Sequence, residues 1–335
     1  MFERRILRGL MLAMGLALVV ALLLPTLALA DKGNPPGGPG PEAVGHVTIS
    51  GNPLTIHVAA DTSIQVFYAG QTDGQVYPPN SDEAISGGFA WLGAAAPTVW
   101  GPSWAGPSVN AWIPAPPQLI WGAGTAANPW WVETIVDGPL GPLGVSVWQW
   151  VRYVNGEDCF TVSYIVFNFD EESQDPITFF QAADLHVDGD DNAYGFYDPP
   201  SGAVGGWNKA MDFLEYLVPL TTANGLPMPA ADHYQEADYL TIWPNIFDGV
   251  TGFNDTIRAY PDWHDSACGL QWDLWFPGGL AQNPPLEGNF VELAADWCFL
   301  QEEEPEFVPE PGSVMLLASG LMGLAGYAGL RKWRG

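Results

Sequence analysis

Val145-Ser146-Val147-Trp148-Gln149-Trp150-Val151-Arg152-Tyr153-Val154 is a β-rich run of branched and aromatic residues, and Asn155-Gly156 directly after it supplies a hairpin turn. Phe160-Thr161-Val162-Ser163-Tyr164-Ile165-Val166-Phe167-Asn168-Phe169 answers it, with apolar and polar residues alternating in its first half. Working outward, Ile177-Thr178-Phe179-Phe180-Gln181 begins a third strand. Upstream, Thr55-Ile56-His57-Val58 and Ser63-Ile64-Gln65-Val66-Phe67-Tyr68 form a second hairpin about an Asp61-Thr62 turn. Downstream, Tyr239 to Trp243, Leu270 to Phe276 and Asn289 to Leu300 read as strands, and only Lys209 to Val218 has a helix-like spacing. Residues 86–131 are rich in Gly, Pro, Ala and Trp; a structureless loop of that length is uncommon in a compact domain, so short strands are expected there. The expected fold is all-β, an antiparallel β-sandwich.

Composition agrees with a folded chain. Sixteen Trp, 16 Phe and 11 Tyr are too many for a disordered segment, and abundant Gly and Pro suit short strands and turns. Residues 31–43 form a Pro/Gly linker, and residues 44–305 hold the β domain, as one sandwich or as two subdomains meeting near residues 132–144. Between residues 31 and 308 four basic residues (Lys32, Arg152, Lys209, Arg258) face 36 acidic ones, a net charge of −32. Such a surface repels nucleic acid and anionic lipid; it suits divalent cations, cationic polymers or solubility in a saline medium.

Both ends carry targeting features. Arg4, Arg5 and Arg8 precede an apolar run from Gly9 to Leu24, and Ala28-Leu29-Ala30 offers a cleavage site, so residues 1–30 read as a secretory signal peptide for signal peptidase. At the other end Pro309-Glu310-Pro311 precedes the apolar run Val314 to Leu330, then Arg331-Lys332-Trp333-Arg334. Seventeen apolar residues are just enough to span a bilayer as a transmembrane helix, and the basic cluster would stay cytoplasmic. A plain bitopic anchor would show the same helix and charges, but not Pro-Glu-Pro at the membrane boundary. This tail, residues 306–335, resembles the PEP-CTERM sorting signal that exosortases process in exopolysaccharide-producing Gram-negative bacteria. The resemblance implies an exported cell-surface or extracellular-matrix protein with a structural or adhesive role, held transiently in the inner membrane and destined for an exopolysaccharide layer or biofilm. There is no LPxTG-like motif, which argues against sortase attachment. The run from Trp148 through Asn192 resembles a recurrent exported β-sandwich module of bacterial surface proteins. Trp272 to Leu280 and Phe290 to Phe299 are similar to its closing strands, and this resemblance speaks to fold.

The strongest site pattern is Asp184, Asp188, Asp190, Asp191 and Asn192, hard oxygens within nine residues with Gly189 allowing a sharp turn. Calcium takes six to eight oxygen ligands, and such a loop can supply several. The spacing fails the EF-hand pattern, and the same residues also make ordinary turns, so both readings stand. Trp100, Trp104, Trp112, Trp130 and Trp131, flanked by Pro and Gly, are candidates for stacking on sugar faces in a lectin-like module, or else core. Cys159, Cys268 and Cys298 allow one disulfide in an oxidising compartment. Cys268–Cys298 is the expected pair, since Cys159 lies within an apolar strand pattern. No Cys/His zinc spacing is present, and the five histidines (His46, His57, His186, His233, His264) are scattered. No G-x-S-x-G, H-E-x-x-H, P-loop or dinucleotide fingerprint marks a catalytic residue. A polysaccharide-active enzyme would need a carboxylate pair, which sequence alone does not select.

Overall fold

The structure is a computed structural model that describes residues 45–82, 84–93, 97–115, 117–138, 144–168, 176–223, 226–276 and 290–301. The signal peptide, the linker, Pro309-Glu310-Pro311 and the expected span 314–330 lie outside the described residues. Among the described residues no helix is long and apolar enough to cross a membrane.

In chain order the strands are β1 (His46–Ser50), β2 (Leu54–Ala59), β3 (Ile64–Tyr68), β4 (Ser86–Leu92), β5 (Thr98–Gly101), β6 (Asn110–Ala111), β7 (Ile113–Pro114), β8 (Leu119–Trp121), β9 (Trp130–Asp137) and β10 (Val145–Tyr153). They continue with β11 (Cys159–Asn168), β12 (Ile177–Asp184), β13 (Asn192–Asp198), β14 (Ala203–Trp207), β15 (Phe213–Pro219), β16 (Thr222–Ala223), β17 (Leu226–Pro227) and β18 (His233–Asp238). After helix α1 (Tyr239–Phe247) come β19 (His264–Leu274) and β20 (Phe290–Gln301).

The hairpin that decides the fold class forms as its alternation predicts. β10 and β11 pair antiparallel with Val147 opposite Val166 and Val151 opposite Val162, four valines that point inward and are fully buried. Gly156 takes φ +92 in the connecting turn, where a side chain would be strained. The Asp61-Thr62 turn likewise joins β2 to β3, with β1 completing a three-stranded sheet. Fifteen further strands form one continuous sheet, whose main path runs β6-β5-β4-β12-β19-β13-β14-β15-β20-β11-β10-β9-β7. It must fold over on itself, because Tyr164 of β11 and Phe179 of β12 are far apart along that path yet their rings meet at 4.8 Å. The result is an antiparallel β-sandwich, with Phe179, Leu270, Trp272, Leu293 and Trp297 in the core between its layers. β9 and β10 pair with each other, Asp137 opposite Ser146 and Trp130 opposite Tyr153.

Two segments exchange the roles expected of them. Phe213–Pro219, which overlaps the helix-like stretch Lys209 to Val218, is strand β15, because β14 and β20 satisfy its backbone on both sides. Tyr239 to Trp243, expected as a strand, opens helix α1. Asp238 caps it by accepting from the Leu240 N–H (2.9 Å), and Ile242, Trp243 and Ile246 fall on one buried face. That face packs with Phe89, Phe180 and Phe253 into a second apolar cluster.

The disulfide also departs from expectation. Cys298 is bonded to Cys159, not Cys268. Cys159 and Cys298 stand directly opposite in the β11–β20 ladder, whereas Cys268 lies on β19 opposite Ala183, buried as a free thiol.

Candidate metal centre

Three strand ends bring carboxylates together at one edge of the sandwich. Asp184 ends β12, Asp191 immediately precedes β13, and Asp265 is the second residue of β19, opposite Asn192. Backbone bonds fix the arrangement: the Leu185 N–H donates to the Ser266 carbonyl, and the Ser266 N–H donates to the Asp191 carbonyl. One oxygen from each carboxylate lies within 4.8 Å of the others. Asp184 is 2% exposed, and among the described residues its buried Oδ1 has no hydrogen-bond partner, nor has the buried Oδ1 of Asp191.

Burial and mutual repulsion shape the protonation of this cluster. Asp184 is pushed up to about 9, first by burial and then by Asp265, Asp191 and Glu215. Asp265 rises to about 6 through burial, Asp191 and Asp238. Asp191 is raised by burial and Asp190, with His186 opposing. Carboxylates this close raise one another's pKa, and a bound cation would offset that repulsion. All three donors are hard oxygens. Oxygens on opposite sides of a calcium ion, each at about 2.3–2.6 Å, are roughly 5 Å apart, so a 4.8 Å spread fits one ion.

The structure thus divides the expected ligand set. Asp184 and Asp191 converge, and Asp265, which lies outside the Asp-rich loop, joins them. Asp188, Asp190 and Asn192 instead hold the turn. Asp188 accepts from Gln71 Nε2 (3.1 Å) and Asn208 Nδ2 (3.1 Å), while Asp190 Oδ1 accepts from the N–H and side-chain amide of Asn192 (both 3.0 Å). Asp188 and Gly189 both take positive φ there, as the sharp turn requires.

Next to Asp265 in sequence, His264 forms a buried contact with Glu236. His264 Nε2 is 2.8 Å from Glu236 Oε1, and His264 Nδ1 faces the Asp262 carbonyl at 2.9 Å. Ser266 Oγ and the Arg258 N–H also donate to the Glu236 carboxylate. Burial pulls the His264 pKa down, but Glu236 and the Asp262 carbonyl raise it further, for a net rise.

The candidate sugar-stacking tryptophans do not form one surface. Trp112 is core, 3% exposed, its Nε1 donating to the Gly88 carbonyl (2.8 Å), which removes it as a stacking platform. Trp104 packs edge-on against Phe89 and Trp243 and donates to the Ser86 carbonyl. Trp100 is half-buried and tilts against Trp112, and Trp130 packs against the core. Trp131 alone joins an aromatic row, stacked on Trp121 (6.3 Å) and edge-on to Trp150 (6.0 Å). Trp121 and Trp150 become its neighbours only through the β8–β9–β10 register.

Residues 307–332 match the PEP-CTERM protein-sorting motif. The motif implies an exported protein processed by an exosortase. No curated protein sequence matches the chain. Among solved structures, a bacterial glucoamylase complexed with acarbose is similar at a TM-score of 0.51 and 10% identity, over 82% of this chain and 35% of that one. This chain therefore spans about a third of the glucoamylase's length, and the likeness concerns fold alone. A candidate aldose 1-epimerase from Escherichia coli K12 aligns at a TM-score of 0.37 and 11% identity, over 77% of this chain and 99% of that one.

Proposed function

We propose that this chain is a structural protein of the cell surface or extracellular matrix whose sandwich is locked by a divalent cation, calcium, at Asp184, Asp191 and Asp265. The observation that carries this reading is the convergence of three carboxylates around the buried, unpartnered Oδ1 of Asp184. Burial of Asp184 favours a fixed ion over catalysis, because an extended substrate could not reach a side chain that is 2% exposed. The ion would join β12, β13 and β19, which are neighbours in the continuous sheet. Export supports the assignment, since the sorting motif directs the chain to a compartment where calcium is available.

Thermal unfolding of the full-length chain with calcium and with excess chelator tests it. At a hundredfold excess of calcium over its Kd, linkage gives about 2.7 kcal/mol of added stability. Asp184→Asn and Asp265→Asn should abolish that gain. Asp188→Ala combined with Asp190→Ala should preserve it, because those residues hold the turn. Equal melting temperatures with and without calcium would overturn the proposal.

A further inference from the structure

A second group of side chains, on the opposite end of the described sequence, also has metal-ligand character. β1 and β2 pair with His46 opposite Ala59 and Thr48 opposite His57, which sets His46 and His57 on the same face of the hairpin. Their rings stack, with centroids 4.8 Å apart and planes inclined by 16°. Asp82, in the segment between β3 and β4, brings Oδ1 to 2.8 Å from His57 Nδ1. One donor atom from each of the three lies within 4.8 Å of the others. The His57 Nδ1 is buried and faces the Asp82 carboxylate. His46 and Asp82 are exposed, so an ion could enter from solvent.

The donor set differs from that of the acidic cluster. Two imidazole nitrogens and one carboxylate oxygen suit zinc, copper, nickel or cobalt, whereas calcium requires oxygen. Three protein ligands leave a fourth tetrahedral position for water. We propose that His46, His57 and Asp82 bind a divalent transition-metal ion. The ion fastens β1, an edge strand and the first described element, to the segment that leads into β4. It does not depend on the calcium assignment, because the two sites share no residue.

Cobalt titration of the untagged full-length chain, followed by visible absorption, tests this directly, with zinc affinity measured by competition against a chromogenic chelator. Calcium is present throughout to occupy the acidic cluster. One cobalt per chain is expected, displaced by zinc. His46→Ala and Asp82→Asn each alter an exposed side chain and should weaken zinc binding at least tenfold while leaving the circular dichroism unchanged. Asp184→Asn should bind zinc as the parent does. Absence of cobalt binding overturns the proposal. So does zinc affinity unchanged by His46→Ala and Asp82→Asn, or lost in Asp184→Asn, which would place the ion on the acidic cluster.

Discussion

Asp184 gives the clearest consequence at the scale of a single residue. In the cation-free protein its carboxyl is pushed up to about 9, against an ordinary value near 4 in the unfolded chain. Below pH of about 4 both states hold the proton, and this group favours the fold fully. As pH rises toward 9 the unfolded chain ionises while the folded one does not, so stability is lost across that window. His264 adds to the same downward slope, because its pKa is also raised by folding. Denaturant unfolding in chelator should therefore show the parent losing stability between pH 5 and pH 8. Asp184→Asn, which cannot ionise, should show a flatter profile and exceed the parent at pH 8. Parallel profiles for the two proteins would mean that Asp184 is ordinarily ionised and needs no ion. Two of the three residues of this site were legible in the sequence, because Asp184 and Asp191 are close together and conspicuously acidic. Asp265 was not, since only the β13–β19 pairing brings it to Asp191, and no local spacing encodes that pairing. His46 and His57 meet through the local β1–β2 pairing, whereas Asp82 arrives from the segment between β3 and β4, which no local spacing encodes.

Among the secondary-structure elements, the register of β11 against β20 determines the disulfide. Cys159 faces Cys298 across neighbouring strands, and the bond closes a separation of 139 residues. Cross-links of native geometry contribute typically about 2–4 kcal/mol, chiefly by restricting the unfolded chain. Cys159→Ala should cost about 3 kcal/mol in urea unfolding, with little change in the folded state. Peptide mapping of the unreduced protein should recover a Cys159–Cys298 linked pair, and Cys268 should alkylate only in denaturant. A Cys268–Cys298 peptide would refute the β11–β20 register. The hairpin β10–β11 could be read in advance because its turn and alternation are local. The partner of Cys298 could not, since strand neighbours distant in sequence are chosen by the packing of whole layers. The same asymmetry explains Phe213–Pro219, whose local spacing suggested a helix until two flanking strands claimed its backbone. For α1, the Asp238 cap and Pro244 within Tyr239–Phe247 oppose a central strand even though its side chains are β-prone.

For the molecule as a whole, a net charge of −32 over residues 31–308 makes the fold self-repelling, independent of any one site. Monovalent salt reduces that repulsion by shortening the screening length from about 30 Å at 0.01 M to about 10 Å at 0.1 M. Raising sodium chloride in the presence of chelator should therefore increase the melting temperature gradually, and by the same amount in the parent and in Asp184→Asn. Calcium at millimolar concentration in a constant sodium chloride background hardly changes ionic strength, so its effect isolates specific binding from screening. The parent should gain further stability that saturates with calcium, and Asp184→Asn should gain none. If both proteins respond alike to calcium, the cation acts on the diffuse surface charge, and the three converging carboxylates hold no ion. If only the parent responds, the acidic composition serves two separable ends: a screened surface that keeps an exported chain soluble, and one buried cluster where charge is concentrated enough to hold an ion.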